Sequence, residues 1–329
     1  MPQTPGDPIA SMPVPNAPGD PIISVVVPTY DRAAALAKCL HALAKQTLAP
    51  GRFEVIVCDD GCSPPVTVAQ AELLAALNGT SRVRVVRQEN GGPAAARNLG
   101  AAAARGRYLA FTDDDCEPAP DWLERLVARF DEGEEEVLLG GSMRNALVDD
   151  VYASATHAIM DFAYAEHWRQ SGTRLFSTSN LSLPTAGFRA IGGFSPRFPD
   201  AAGEDYDLCW RWQETGRRAA YVADAVIVHS HPLTFRDYLR QHFRYGRGLL
   251  RVRRRLVARR RRNWSAGPGF YVRLVLHPLR RWWDPAAWRS AALIGASQVA
   301  TVAGAAIEFV ASYGQRAQAD VAPSAETPS

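Results

Sequence analysis

Three consecutive carboxylates, Asp113, Asp114 and Asp115, close the apolar run in "RYLAFTDDD". Alternate side chains on an extended strand share a face, so Asp113 and Asp115 point together while Asp114 points away. Two carboxylates on one face repel unless a cation sits between them. A hard divalent ion, Mg²⁺ or Mn²⁺, is the usual partner, and it completes its shell with water and phosphate oxygens. The spacing therefore points to a metal-bound phosphate compound. In the plainer alternative, one aspartate caps the helix that follows Pro118 and the others are solvated.

A second acidic pair, Asp59 and Asp60, precedes Gly61 behind the apolar run "FEVIVC". A carboxylate there can accept hydrogen bonds from the N–H edge of a nucleobase or from ribose hydroxyls; an Asp-Gly turn is the bland reading. In "ENGGPAAARNLG", Gly91 and Gly92 let backbone N–H groups approach an anion, and Pro93 opens a helix whose positive end could face phosphate. Arg97, one turn into that helix, could reach a base or diphosphate, with Asn98 beside it.

These residues need a frame that brings strand ends together. Residues 22–28, "IISVVVP", read as a buried strand. The next segment sets Leu36, Leu40 and Leu43 on one helical face, with Asp31 as its N-cap. The pattern repeats in "FEVIVCDDG" before a helix at 66–77, in "RVRVVRQ" before "GPAAARNLGAAAA", and in "GRYLAFTDDD" before "PDWLERLVARF". Such alternation predicts an α/β fold with a mostly parallel central sheet between helices. Ligands in these sheets bind outside the carboxyl ends of the strands, where Thr29, Tyr30 and Asp31 and the two acidic clusters fall. No GxGxxG follows the first strand and no phosphate-binding GxxxxGK[ST] occurs, so dinucleotide oxidoreductases and P-loop enzymes lose their support. Further on, 187–195, "GFRAIGGFS", reads as a turn-rich loop, and "AAYVADAVIVHSHP" as a strand ending in two histidines.

The 329 residues suffice for one large domain and a smaller appendage. Five cysteines without a CxxC pair fit a reducing compartment, and the proline-rich start lacks a signal peptide's basic and apolar regions. A cytoplasmic protein is the expectation. The formal net charge of +3 hides a basic run, Arg244 to Arg262, while acidic residues gather before residue 210. That asymmetry predicts an anionic partner for the C-terminal part.

In order and spacing, "VVVPTYDR", "VIVCDDGCS", "ENGGPAAARNLGAAAARGRYLAFTDDD", "GEDYDLCWRWQETG" and "VIVHSHP" resemble the family 2 glycosyltransferases, over residues 22–232. These are inverting enzymes of GT-A fold that use nucleotide-sugar donors. The resemblance implies a Rossmann-like GT-A domain at 21–232, with a nucleotide-binding half at 21–130 and an acceptor-side half at 131–232. A disordered lead-in at 1–20 would precede it. A basic, aromatic helical extension at 233–313 and a disordered tail at 314–329 would follow.

It also implies roles. Pro28, Thr29 and Tyr30 would line the base pocket, Asp59 or Asp60 would hold the base, and Asn90 and Arg97 would frame the nucleotide. Asp113 would contact ribose or metal, with Asp114 also on the donor side. Asp115 would bind Mn²⁺ or Mg²⁺ directly, completed by His229 or His231. The two histidines share a strand face; closing the apolar strand favours His229. The Glu204-Asp205 pair would supply the catalytic base, Asp205 taking the proton of an acceptor hydroxyl. Acidic residues at 204–207 also suit the positive end of the helix they open.

Two departures from the family's commonest pattern matter. Cys62 stands where serine is usual, and "QHFRYGRG" replaces the basic-aromatic motif of processive synthases, which favours a single-addition enzyme. Phe270, Tyr271, Trp282, Trp283 and Trp288 precede an apolar stretch at 290–313 interrupted by Glu308. Arginine, aromatic and apolar residues in that order predict an anchor on an anionic leaflet, the inner face of the plasma membrane, and a glycan or lipid-linked acceptor. The alternatives are a sugar nucleotidyltransferase, whose N-terminal phosphate loop is missing, and a nucleotide or nucleic-acid binding protein using the arginine run. No nucleic-acid partner is expected.

Overall fold

A computed structural model of the chain describes residues 20–66, 83–133, 136–198, 202–258 and 267–321. The lead-in up to residue 19, nearly all of the expected helix at 66–77, Arg259 to Arg262 and residues 322–329 lie outside them. The chain forms two compact units, dividing between Pro232 and Leu233.

The first unit is built on an eight-stranded sheet. Its strands are β1 (Ile23–Thr29), β2 (Phe53–Asp59), β3 (Val83–Arg87), β4 (Tyr108–Phe111), β5 (Cys116–Pro118), β6 (Leu138–Asn145), β7 (Leu181–Pro184) and β8 (Ala219–His229). They lie in the order β3-β2-β1-β4-β7-β6-β8-β5. β3, β2, β1 and β4 are parallel neighbours, as β6 and β8 are, while β7 and β5 run antiparallel to theirs. β1 is buried throughout, as its run of valines requires of a strand covered on both faces. Chain order reverses at β1, which pairs with β2 on one side and β4 on the other. That is a topological switch point, and in sheets of this kind ligands bind in the crevice beyond the strands' carboxyl ends.

Helices cover this sheet: α1 (Ala33–Leu43), α2 (Pro93–Ala103), α3 (Trp122–Asp131), α4 (Val151–Ser171), the short α5 (Thr185–Ala190) and α6 (Glu204–Glu214). Leu36, Leu40 and Leu43 are buried on α1 as their spacing predicts. α2 lies close on the sheet because Gly100 has no side chain: a Cβ there would sit 2.4 Å from Cys58 Sγ and 2.5 Å from Val26 Cγ1.

Three local expectations are corrected. Asp31 does not cap α1; its φ is +52° and its carboxylate accepts from the Ser63 N–H at 2.7 Å, while Arg32 occupies the cap position. Residues 187–190 belong to α5, and only the segment after it turns, through Gly192 and Gly193 at positive φ. The three aspartates lie in the bend between β4 and β5 rather than on a strand, so alternation does not govern where they point.

The second unit contains α7 (Phe235–Ala258), α8 (Pro268–Leu276), a 3₁₀ turn (Pro278–Arg281) and α9 (Pro285–Val321). α9 thus continues through 314–321, where a disordered tail was expected. α7 and α9 pack closely at two glycines: a Cβ on Gly246 would overlap the Thr301 carbonyl, and one on Gly304 the Phe243 carbonyl. Glu308, which interrupts the apolar run, is paired with Arg247 at 2.9 Å and Arg251 at 2.8 Å.

Candidate active site

The ends of β1, β2 and β4 deliver Thr29, Asp59–Asp60 and the Asp113–Asp115 bend to one edge of the sheet. β5 then pairs antiparallel with β8 so that Cys116 faces His229, and the Ser230 N–H donates to the Asp115 carbonyl at 2.9 Å. This pairing brings a histidine more than a hundred residues away onto the aspartate. His229 Nε2 lies 3.5 Å from Asp115 Oδ1, and His231 Nδ1 lies 3.0 Å from Oδ2.

Arg32 closes the same cluster, with contacts of 2.9 Å to Asp114 and 2.6 Å to Asp115. Burial works against the charge of Asp115, but the bonds from His229 and His231 and the charges of His229 and Arg32 hold its carboxyl well below the usual range. Burial also opposes the His229 imidazolium; Asp115 outweighs it and lifts that pKa. Asp114 is buried and accepts from the Thr29 hydroxyl at 2.7 Å. Its burial dominates and pushes its pKa up to about 6.

One carboxylate and two imidazoles, with ligand atoms within 4.8 Å of one another, suit a divalent cation of intermediate softness. Arg32 already sets a positive charge on that carboxylate. Asp115, His229 and His231 could together hold a divalent cation such as Mn²⁺. A second grouping, Asp113, Asp115 and Cys116, is less apt: burial raises the Cys116 thiol well above its ordinary value, and a protonated thiol is a poor ligand.

Arg97 is the second organiser. It is buried on α2, donating to Asp113 Oδ1 at 2.6 Å and to Glu204 Oε1 at 2.9 Å. Both termini of its guanidinium are thereby committed to carboxylates, so Arg97 does not present a free fork to a base or diphosphate as its position in the sequence suggested. Asp113 takes a further bond from the Ser179 hydroxyl at 2.6 Å. Asn98, next on α2, clasps both the N–H and the carbonyl of Phe194. Arg211, ion-paired with Asp207, caps the carbonyls of Ile191 and Gly193. These bonds join α2, the turn after α5 and α6, and fix where α6 begins.

At that beginning Glu204 and Asp205 differ sharply. Glu204 is buried and held by Arg97. Asp205 remains partly accessible; among the described residues it accepts from the Tyr206 N–H at 2.8 Å and makes no ion pair. Crowding by protein and the nearby charge of Glu204 push its pKa up to about 8. A carboxyl whose pKa lies near neutral pH is in the range of proton-transfer groups.

The Asp59–Asp60 pair has a different character. Asp59 accepts from the N–H groups of Gly61, Cys62 and Val66 and from Arg87, which uses its acceptor sites. Asp60 accepts from Gln88 and from the N–H groups of Gly91 and Gly92, leaving one acceptor position on Oδ2. Gly91 and Gly92 thus turn their N–H groups toward a carboxylate of this chain. Tyr30 is 49% exposed and Asn90 is exposed near Gly61, whereas Pro28 is buried within β1. Arg32, Ser179 and His157, whose ring lies 5.7 Å from that of His229, were not singled out in the sequence. Burial pushes His157 down to about 4.

The glycosyl transferase family 2 profile matches residues 24–194, and the chain belongs to that family. Its fold is of the GT-A type. The pre-mycofactocin glycosyltransferase of Mycobacterium tuberculosis is 30% identical over 201 residues, 59% of this chain and 41% of that protein. The validoxylamine A glucosyltransferase of Streptomyces hygroscopicus is 33% identical over 216 residues, 57% of this chain and 47% of the relative. Glycosyltransferase AglE of Haloferax volcanii is 27% identical over 229 residues, 68% of this chain and 71% of the relative. The matches to the first two thus span less than half the length of those relatives. Among solved structures, the mannosyltransferase PcManGT of Pyrobaculum calidifontis, determined with GDP-Man and Mn²⁺, superposes over 96% of this chain and 86% of its own. The TM-score is 0.56 and the identity 22%, a likeness of fold.

Proposed function

We propose that the protein is a metal-dependent inverting transferase, moving a sugar from a nucleoside-diphosphate sugar to a hydroxyl of a glycan or lipid-linked acceptor. The observation that carries this reading is the contrast at the crevice. One side gathers Asp113, Asp114 and Asp115 with two imidazoles and two arginines, and the other holds Asp205, which makes no ion pair among the described residues.

On the donor side, Tyr30 offers a face to the base, and Asp60 its remaining acceptor position. Thr29 and Pro28 shape the wall behind them, Asn90 stands at the rim, and Asp59 holds the loop. Asp113, fixed by Arg97 and Ser179, faces the ribose. Asp115 with His229 and His231 would hold Mn²⁺ or Mg²⁺, which supplies positive charge to the diphosphate as it departs. On the acceptor side, Asp205 takes the proton as the hydroxyl oxygen attacks the anomeric carbon opposite the leaving group. Glu204, held by Arg97, sets its charge beside Asp205 and raises its proton affinity.

The test is ligand-induced stabilisation. A donor that binds only the folded chain raises its melting temperature by mass action. Among UDP-, GDP- and dTDP-sugars, one should do so with Mn²⁺ and fail to do so without it, and Asp115→Ala should remove the shift. A shift that is indifferent to the metal and to Asp115 would contradict the reading.

The second unit favours a further partner, an anionic membrane surface on the cytoplasmic side. α9 over Pro285–Ser312 is 28 residues long and contains an 18-residue window of mean hydropathy 1.5. It leaves Trp288, Val299, Val302 and Val310 more than half exposed, and Trp282 and Trp283 stand beside it at 67%. Aromatic and apolar side chains beside arginines suit the headgroup boundary. Vesicles containing phosphatidylglycerol should sediment the protein, and Trp282→Ser with Trp283→Ser should weaken that at least fivefold; equal sedimentation of both would count against it.

A further inference from the structure

α4 places three groups on one face that the donor-side chemistry leaves unused. His157, Asp161 and Tyr164 stand at i, i+4 and i+7, one stripe of a helix. The helix is fixed at both ends: Asp150 accepts from the N–H groups of Tyr152 and Ala153, and Gly172 ends it in the left-handed region. The stripe runs between the two chemical poles of the site. His157 lies 5.7 Å, ring to ring, from His229 beside Asp115. Tyr164 meets Tyr206, the neighbour of Asp205, edge to face at 6.2 Å. One turn on, His167 meets Trp210 on the same α6 helix at 6.0 Å. From His157 to Tyr164 the helix rises about 10 Å, so the stripe spans the interval between the two ring contacts.

Two polar groups in this stripe lack protein partners. His157 Nε2 is buried without a hydrogen bond. Asp161 is open to solvent and makes neither a hydrogen bond nor an ion pair among the described residues. The surrounding protein nonetheless crowds its carboxyl enough to raise its pKa. Asp161 is thus accessible while it stands on the same helix face as His157 and Tyr164. A carboxylate only accepts hydrogen bonds, so it calls for hydroxyl or amine donors and repels a carboxylate or phosphate placed there. The tyrosine ring adds an apolar wall of the kind that sugar C–H faces pack against.

We infer that the His157–Asp161–Tyr164 face of α4 is the acceptor subsite, and that it takes an uncharged sugar ring presenting neighbouring hydroxyls to Asp161. This rests on the proposed function for the reaction, and it names the acceptor's chemistry, which that reading leaves open. Asp161 is a specificity determinant here, set apart from the donor and from proton transfer.

Saturation-transfer NMR on the full chain tests it, with methyl β-D-glucopyranoside and methyl α-D-mannopyranoside as neutral probes and methyl β-D-glucuronide as the acidic one. The wild type should saturate at least one neutral probe more strongly than the glucuronide. Asp161→Ala should reduce that signal at least fivefold, and Asp161→Asn should narrow the difference between neutral and acidic probes. Asp161 is on the surface, so both variants should melt as the wild type does. Neutral-probe signals that are equal in wild type and Asp161→Ala, a preference for the glucuronide, or no signal from any probe would overturn the inference. The Mn²⁺-dependent donor shift, measured on the same samples, is independent of Asp161. Its loss in the wild type with an Asp161-dependent probe signal would sink the donor reading alone; the reverse pattern would sink the subsite alone.

Discussion

The two sides of the crevice treat their carboxylates in opposite ways. On the donor side each acid is answered within the chain: Asp113 by Arg97 and Ser179, Asp114 by Thr29 and Arg32, Asp115 by Arg32 and two histidines. On the other side, among the described residues, Asp205 accepts one backbone N–H and Asp161 makes no hydrogen bond or ion pair. A region that binds a highly charged ligand benefits from preorganised charge, because reorganisation is then complete before the ligand arrives. A proton acceptor needs the reverse, a site where its charge is left unsupported. The difference teaches that bonding state, rather than acidity of composition, separates the roles of these aspartates.

The most damaging way to disturb this contrast is to remove the residue that spans it. Arg97→Met leaves Asp113 and Glu204 buried or partly buried without their common partner, and breaking such a pair costs about 3–5 kcal/mol. Urea denaturation should register that loss, and Arg97→Lys should recover part of it. A stability unchanged by Arg97→Met would mean that the bridge is not what fixes α6.

A change of pH separates the sides more finely. Asp115 has its pKa depressed by folding, so its stabilising contribution is present at neutral pH and is lost as pH falls through its folded value. Asp205 has its pKa raised to about 8 from an ordinary 3.8. The folded chain then keeps a proton that the unfolded chain has released, and its contribution declines as pH rises through that window. Comparing wild type with Asp205→Asn, the stability difference should drift across neutral pH and flatten below about pH 4, where both states of Asp205 are protonated.

Smallest is a single bond within the donor side. Thr29→Val removes one hydroxyl from Asp114 and should cost about 1 kcal/mol, with the Mn²⁺-dependent donor shift retained. A loss several times larger would mean that the Thr29 hydroxyl governs the whole bend.

Much of this frame was legible in the sequence because it is local. The valine run of β1, the Leu36, Leu40 and Leu43 stripe and the alternation of strands with helices follow from side-chain period alone. The partnerships that assign roles are not local. Arg32 meets Asp115 across 83 positions and Ser179 meets Asp113 across 66, and both depend on where β5 and β7 are inserted. β5 has three residues, too few for any pattern to announce. The expected strand alternation for Asp113 to Asp115 failed because the chain bends after Phe111. α4 was unreadable for another reason: apolar residues fall on several of its sides and its polar stripe is sparse, so no single face marks it as a helix. Arg97 stood out by spacing, but nothing in the sequence said that two carboxylates would claim it.

The central claim, that Asp205 is the base left open to the acceptor, is tested most directly by pH–rate profiles of sugar transfer for wild type and Asp205→Asn, with donor binding measured alongside. The wild-type rate should climb with pH toward about 8, and the variant should lose ~10²–10⁴-fold together with that limb while its Mn²⁺-dependent donor binding is unchanged. Transfer by Asp205→Asn within about tenfold of wild type on the same ascending limb, or a variant that no longer binds donor, would contradict it.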